Sequence, residues 1–213
     1  MTDLTLFTPA GVLLKAAPLR LAAKRLKALG FTVKTDEAAL AKHQRFGGND
    51  EIRLAALHRV AHEAPSIALA TRGGYGITRL LDRLDWKLLA RSVDRGTRWV
   101  GYSDLTALQM GLWAHAQAPT WCGPHAADDF GREVLDEVTP DCFAEAMSGE
   151  LEAIGFRTEA GFDGLQAAGV LWGGNLTVLT SLLGTPHWPV VKGGVLFLED
   201  VNEHPYRVER LLL

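Results

Sequence analysis

Residues 98–106 read RWVGYSDLT: an apolar run, a small residue, a serine, an acid and the start of a helix. A buried strand that feeds directly into a helix is the unit from which parallel sheets are built. The unit repeats on both sides of this stretch. LTLFT (4–8) reads as a short strand ending at Pro9-Ala10-Gly11. In PLRLAAKRLKALG (18–30), Leu19, Ala22, Ala23, Leu26 and Leu29 fall at helical spacing between basic residues, and Gly30 suits the C-cap. FTVKT (31–35) is the next strand and RFGGND (45–50) a loop. Asn49 can cap a helix whose first turn holds Asp50 and Glu51 and which stops before Pro65. SIALAT (66–71) is a strand followed by RGGYG (72–76), and a helix is expected over 77–84. After RWVGY come a helix over 104–116 and a strand in PTWCGP (119–124). This alternation predicts an α/β fold, a mostly parallel open sheet with helices on both faces. Ligands then gather at the carboxyl ends of the strands, where RGGYG and Ser103 both fall.

The text changes near residue 131. GREVLDEVTPDCFAEAMSGE (131–150) is acidic and helical, and TEAGFDGLQAAG (158–169) is short and glycine-rich. GVLWGGNLTVLTSLLGTP (169–186) reads as a strand, a glycine turn and a short helix, and GGVLFLED (193–200) as a strand buried on both faces. EHPYRVERLLL (203–213) begins a helix with Pro205 in its first turn, and its apolar stripe needs a cover. The expected organisation is an amino-terminal α/β domain over 1–130, a connector over 131–165, and a smaller β-rich carboxy-terminal domain over 166–213, expected to be incomplete.

The bulk numbers exclude several classes. With 213 residues, 47% hydrophobic and 22% charged, the chain can bury a core without staples. A net charge of −3 offers no general attraction for nucleic acid or an anionic membrane surface. No apolar run approaches the ~20 residues of a spanning helix, and MTDLTLFTPAG is not a secretory signal. Cys122 and Cys142 are too few for a disulfide framework, so free thiols and a cytoplasmic location are expected.

Three constellations could carry chemistry. Ser103, between strand and helix, is either a cap or a nucleophile on a sharp turn; GYSDL keeps only the first glycine of G-x-S-x-G. The N–H of Asp104 at the helix start could meet a developing oxyanion. Gly73 and Gly74 let backbone approach a ligand closely, but the loop has neither dinucleotide nor P-loop spacing. Arg72 could pair with a substrate carboxylate or with a structural acid. Glu199 closes the apolar run GVLFLE, where it could orient a histidine or simply face solvent. The 7 histidines show no metal-ligand spacing: His58 and His62 in HRVAH lack the acid of H-E-x-x-H. No metal and no cofactor is expected.

RFGGNDEIRLAALH, ATRGGYGITRLL, VGYSDLTALQMGL, LWGGNLTVLTSLLGTP and VLFLEDVNEHPYRVERLL, in that order, resemble the LD-carboxypeptidases, serine peptidases of the muramoyl-tetrapeptide carboxypeptidase type. The resemblance implies Ser103 as nucleophile and Glu199 as the acid of a Ser-Glu-His triad. It implies an oxyanion hole from the N–H groups of Asp104 and the Gly73-Gly74 turn. Arg72, Tyr75 and Asn175 are candidate substrate contacts beside it, and Asn175, following two glycines, also suits a helix cap. The implied substrate is the cytoplasmic murein tetrapeptide of peptidoglycan recycling, cut before its terminal D-alanine, and homodimerisation is common in such proteins. In the family the triad histidine lies downstream of EDVNEHP; His204 has no such role, and His125 stands in GPH where relatives commonly have GPM. The 213 residues are therefore expected to be nearly inactive by themselves. Two other readings stand beside this one. One is a peptidase like the microcin C self-immunity proteins, acting on peptidyl or aminoacyl nucleotides, for which Trp172 or Trp188 would offer a nucleobase platform. The other is a non-catalytic murein-peptide-binding remnant.

Overall fold

The computed structural model describes residues 2–155, 161 and 164–213; the centre of the expected connector, 156–160 with 162 and 163, lies outside the described residues. The chain opens with β1 (Asp3–Phe7), α1 (Ala16–Ala28), β2 (Thr32–Thr35), α2 (Asp50–Glu63) and β3 (Ile67–Ala70). It continues through α3 (Trp86–Asp94), β4 (Arg98–Gly101), α4 (Thr106–Ala116), β5 (Trp121–Cys122) and α5 (Val138–Ser148). These five strands form one parallel sheet in the order β2-β1-β3-β4-β5. The second part contains β6 (Leu171–Asn175), α6 (Leu176–Ser181), β7 (Val195–Glu199) and α7 (Pro205–Leu212), with β6 and β7 paired in parallel as a separate two-stranded sheet. No helix among the described residues is long and apolar enough to cross a membrane.

The two-residue period of the strands sorts the core into two layers. Leu4, Leu6, Ile67, Leu69 and Val100 face α1, α5 and Phe130. Phe7, Ala68, Ala70 and Trp99 face α2, α3, α4 and α6. Trp99 is fully buried, meets Phe7 edge to face at 5.4 Å, and donates its indole N–H to Ser92 Oγ at 3.0 Å. Burying the polar tip with a partner avoids the desolvation cost of a lone indole N–H.

The local signals act as expected at several ends. Asn49 Oδ1 accepts the Ile52 N–H at 2.9 Å and starts α2, and Pro205 occupies the first turn of α7. Three expectations need correction. Residues 77–84 form two short 3₁₀ turns rather than a helix, because Gly76 enters at φ 116° and the Ile77 N–H is taken by a side chain. Gly173 and Gly174 lie inside β6 rather than in a turn. A Cβ on Gly173 would stand 2.0 Å from the Phe197 carbonyl, and one on Gly174 2.4 Å from Thr106 Oγ1. β7 is not buried on both faces: among the described residues it pairs only with β6, and it leaves Leu196 47% and Phe197 43% exposed.

Gly111 decides how α3 meets α4: a Cβ there would lie 2.3 Å from the Trp86 ring. Gly111→Leu is expected to lower stability by about 2 kcal/mol, read as a lower urea midpoint at unchanged slope. The loss should shrink when Trp86→Leu is made in the same chain.

Candidate active site

β3 and β4 are neighbours, so the loops that leave their carboxyl ends must meet. Ser103 begins a 3₁₀ turn between β4 and α4 and is only partly exposed. It sits at φ 58°, in the left-handed region that costs an L-residue roughly 1–2 kcal/mol. It is not the helix cap: the cap position of α4 is Leu105. The serine instead packs on the loop after β3. A Cβ on Gly73 would stand 2.8 Å from Ser103 Oγ and 2.9 Å from Ser103 Cβ, so only glycine fits there without displacing the serine.

The glycine loop is held at several points. Gly11 N–H donates to Gly73 O at 3.0 Å, and Gly74 lies at φ 113° against Gly11 Cα. Arg53 is 0% exposed; its Nη1 donates to both Pro9 O and Gly76 O at 3.0 Å, and its Nη2 to Asp50 at 2.6 Å. Asp104 Oδ2 accepts the Ile77 N–H at 3.0 Å.

The second sheet brings its acid to the same place. Asn175 and Glu199 are register partners at the ends of β6 and β7. The Asn175 backbone N–H donates to Thr106 Oγ1 at 3.0 Å, pinning β6 to the start of α4. Burial pushes the Glu199 carboxyl above the usual range, opposed by the Asn175 side chain and the Ser103 backbone N–H. Glu199 Oε1 is buried and has no hydrogen-bond partner among the described residues. Asn175 Oδ1 is engaged elsewhere, accepting the Val178 N–H at 3.1 Å to cap α6.

His125 lies beneath the serine turn, 1% exposed and stacked on Tyr102 at 4.1 Å. Its Nε2 accepts the Tyr102 N–H at 3.3 Å, and burial pushes it down to about 3. A neutral ring whose acceptor is already occupied holds the backbone of the turn and is unsuited to take a proton from Ser103. Asp128 faces the same corner, 3.9 Å from both Arg72 Nε and His125 Nδ1. Burial raises its pKa, while Arg72 and the Gly73 N–H oppose the rise.

The remaining expectations divide. Arg72 donates from Nη1 to Val12 O at 3.0 Å, which leaves its Nε facing Asp128. Tyr75 packs edge to face on Phe46 at 5.0 Å under Arg45 and is 48% exposed. Trp172 and Trp188 pack edge to face on each other at 5.7 Å, against the core layer of α4 and α6. His58 Nε2 accepts the Asp85 N–H at 3.0 Å. No group of three or more potential metal ligands occurs among the described residues. A largely apolar cavity of about 600 Å³ opens beside the serine turn, with Tyr102, Trp121, Phe143, Phe197 and Glu199 in its walls. Arg53, Asp128 and the seat of His125 went unread in the sequence. Arg53 had a signal: a charge at the position that continues the buried helical row of Leu57 and Val60.

A five-stranded parallel sheet, with a small second sheet seated over its carboxyl ends, is the architecture of a class of two-part α/β carboxypeptidases. The LD-carboxypeptidase N-terminal domain matches residues 4–123 and the LD-carboxypeptidase C-terminal domain matches residues 168–213; the chain belongs to this family. It is 35% identical over 195 residues to a Bacillus subtilis protein named "Probable murein peptide carboxypeptidase", covering 88% of this chain and 59% of that one. The crystal structure of muramoyltetrapeptide carboxypeptidase from Oxalobacter formigenes superposes with a TM-score of 0.88 at 37% identity, covering 99% of this chain and 70% of that one. An MccF-like protein from Bacillus anthracis superposes with a TM-score of 0.85 at 26% identity, covering 99% of this chain and 72% of that one. The chain thus spans 59% of the length of the Bacillus subtilis relative.

Two measurements probe the site without assuming its activity. Ser103→Gly should be more stable than Ser103→Ala by about 1 kcal/mol in chemical denaturation, because only glycine relieves the left-handed strain. For Glu199 the folded pKa lies above the unfolded one. Its contribution to stability is full below the ordinary glutamate range and is lost as pH rises through the raised value. Glu199→Gln lacks that loss, so its stability relative to the parent should increase with pH across that window in a urea series.

Proposed function

We propose that the protein is a serine carboxypeptidase that cleaves the amide joining an L-configured centre, diaminopimelate or lysine, to the terminal D-alanine of a cytoplasmic murein tetrapeptide. The observation that carries this reading is the contact between a left-handed Ser103 and the side-chain-free Gly73, with the Glu199 carboxyl alongside. A serine hydroxyl is inert without a positioned base. Ser103 Oγ attacks the scissile carbonyl carbon while its proton passes to an imidazole oriented by the unpartnered Oε1 of Glu199. His125 is not that imidazole, because it is already committed to the Tyr102 backbone; the resemblance assigns the triad histidine to a position downstream of EDVNEHP. The tetrahedral oxygen takes the N–H of Asp104 and those of the Gly73-Gly74 turn, displacing Asp128 from Gly73. Collapse breaks the C–N bond, the imidazole returns the proton to the departing amine of D-alanine, and water hydrolyses the acyl-serine. The domains assigned are 1–130 and 166–213 with the site between them, and the assembly is assigned as a homodimer.

Trp172 and Trp188 pack on each other and against the core layer of α4 and α6 rather than standing free as a nucleobase platform, which favours this reading over action on aminoacyl nucleotides. The full-length protein should release D-alanine from L-Ala-γ-D-Glu-meso-diaminopimelate-D-Ala and spare an aminoacyl sulfamoyl adenylate. Ser103→Ala should lower kcat by up to ~10⁶-fold. Absence of D-alanine release from the full-length protein would falsify the proposal.

A further inference from the structure

The mechanism above uses the backbone of Asp104 and leaves its side chain without a task, yet that carboxylate is 2% exposed. A buried charge is expensive unless it is held by donors and an opposite charge. Asp104 has both: the Ile77 N–H at 3.0 Å, the Gly76 amide and the Arg53 guanidinium. These partners all bear on one loop. Arg53 holds the Gly76 carbonyl from one side, and Asp104 holds the next amide from the other. The loop's remaining end, Gly73, touches Ser103. One residue therefore carries, on its backbone, an amide assigned to the tetrahedral oxygen and, on its side chain, the tie to the loop that bears the other assigned donors.

We propose that the Asp104 side chain is a positioning residue, which fixes the Gly73-Gly74 turn relative to the Asp104 backbone N–H and so sets the spacing of the oxyanion hole. The inference rests on the Ser103 reading. Donors must stand within about 2.7–3.1 Å of the developing charge, and a 1 Å misplacement can cost ~10²-fold in rate. Gly11 and Arg53 tie the loop to the turn after β1 and to α2, whereas the Asp104 side chain ties it to the serine turn itself; Gly73, Gly74 and Gly76 form three of its backbone positions, and two of them lie at positive φ.

The test uses the full-length protein and three variants, Asp104→Ala, Asp104→Asn and Ser103→Ala. Asparagine keeps an oxygen for the Ile77 N–H; alanine keeps none. Asp104→Ala should lose ~10²-fold in kcat with KM within about twofold, and Asp104→Asn should recover at least about tenfold of that loss. A peptide boronate, which forms a tetrahedral adduct on the serine, should weaken in parallel with kcat in Asp104→Ala, while binding of the product tripeptide stays unchanged. A merely structural role would weaken boronate and product alike, and that result overturns the inference. So does wild-type kcat in Asp104→Ala. If Asp104→Ala fails to fold by circular dichroism, Asp104→Val, which also offers no oxygen, replaces it with the same expectations and the same overturning result. Full turnover in Ser103→Ala removes the nucleophile reading and this inference with it. A dead Ser103→Ala beside unimpaired Asp104 variants removes this inference alone.

Discussion

The close contact of a left-handed serine with a glycine is the constraint around which the molecule is arranged. Ser103 can stand at φ 58° only because its surroundings hold it there, and it can touch Gly73 only because that residue has no Cβ. The strand order makes the contact possible by placing β3 beside β4, so that the turns after both strands leave on the same edge. Strain of roughly 1–2 kcal/mol per such residue persists where packing over-determines the backbone, and such sites cluster where proteins do chemistry.

The supports of that contact are polar and buried. His125 grips the Tyr102 amide from below, Asp104 grips the glycine loop, and Arg53 ties that loop to the turn after β1. Each of these groups would destabilise the fold if left alone, and each is held by partners that fix its direction. The second sheet is seated by a similar device. Gly174 and Asn175 press on Thr106 at the start of α4, which sets the place of Glu199. At the other end of α4, His115 meets His187 at 2.9 Å, and His187 meets Asp82 at 2.9 Å, with Trp86 stacked on His115 at 4.6 Å. The segment that carries the acid is thus fastened at both ends of the helix that follows the serine.

Much of this order was legible locally. Asn49, Pro205 and the apolar periods act through neighbours in the chain, so their reading needs no knowledge of the fold. α3 was not read, although its signals are local: Asp85 caps it by accepting the Leu88 N–H at 2.9 Å, and Leu89 and Ser92 are buried on one face. The glycines of β6 read as a turn because their reason lies in Thr106 and Phe197, distant in sequence. Arg53 and His125 were opaque for the same cause: each acts on backbone atoms from other segments.

The sequence by itself determined the alternation of strands and helices, the parallel sheet, the family motifs and the identity of the serine, loop and acid that could act together. Those features depend on side-chain period and on chain order, which are one-dimensional. Only the tertiary structure decided that the serine is strained rather than capping, that Glu199 Oε1 is buried without a partner among the described residues, and that the Asp104 side chain holds the glycine loop. Those outcomes depend on distances between segments, and distance across a sheet is fixed by strand order and packing rather than by any local pattern.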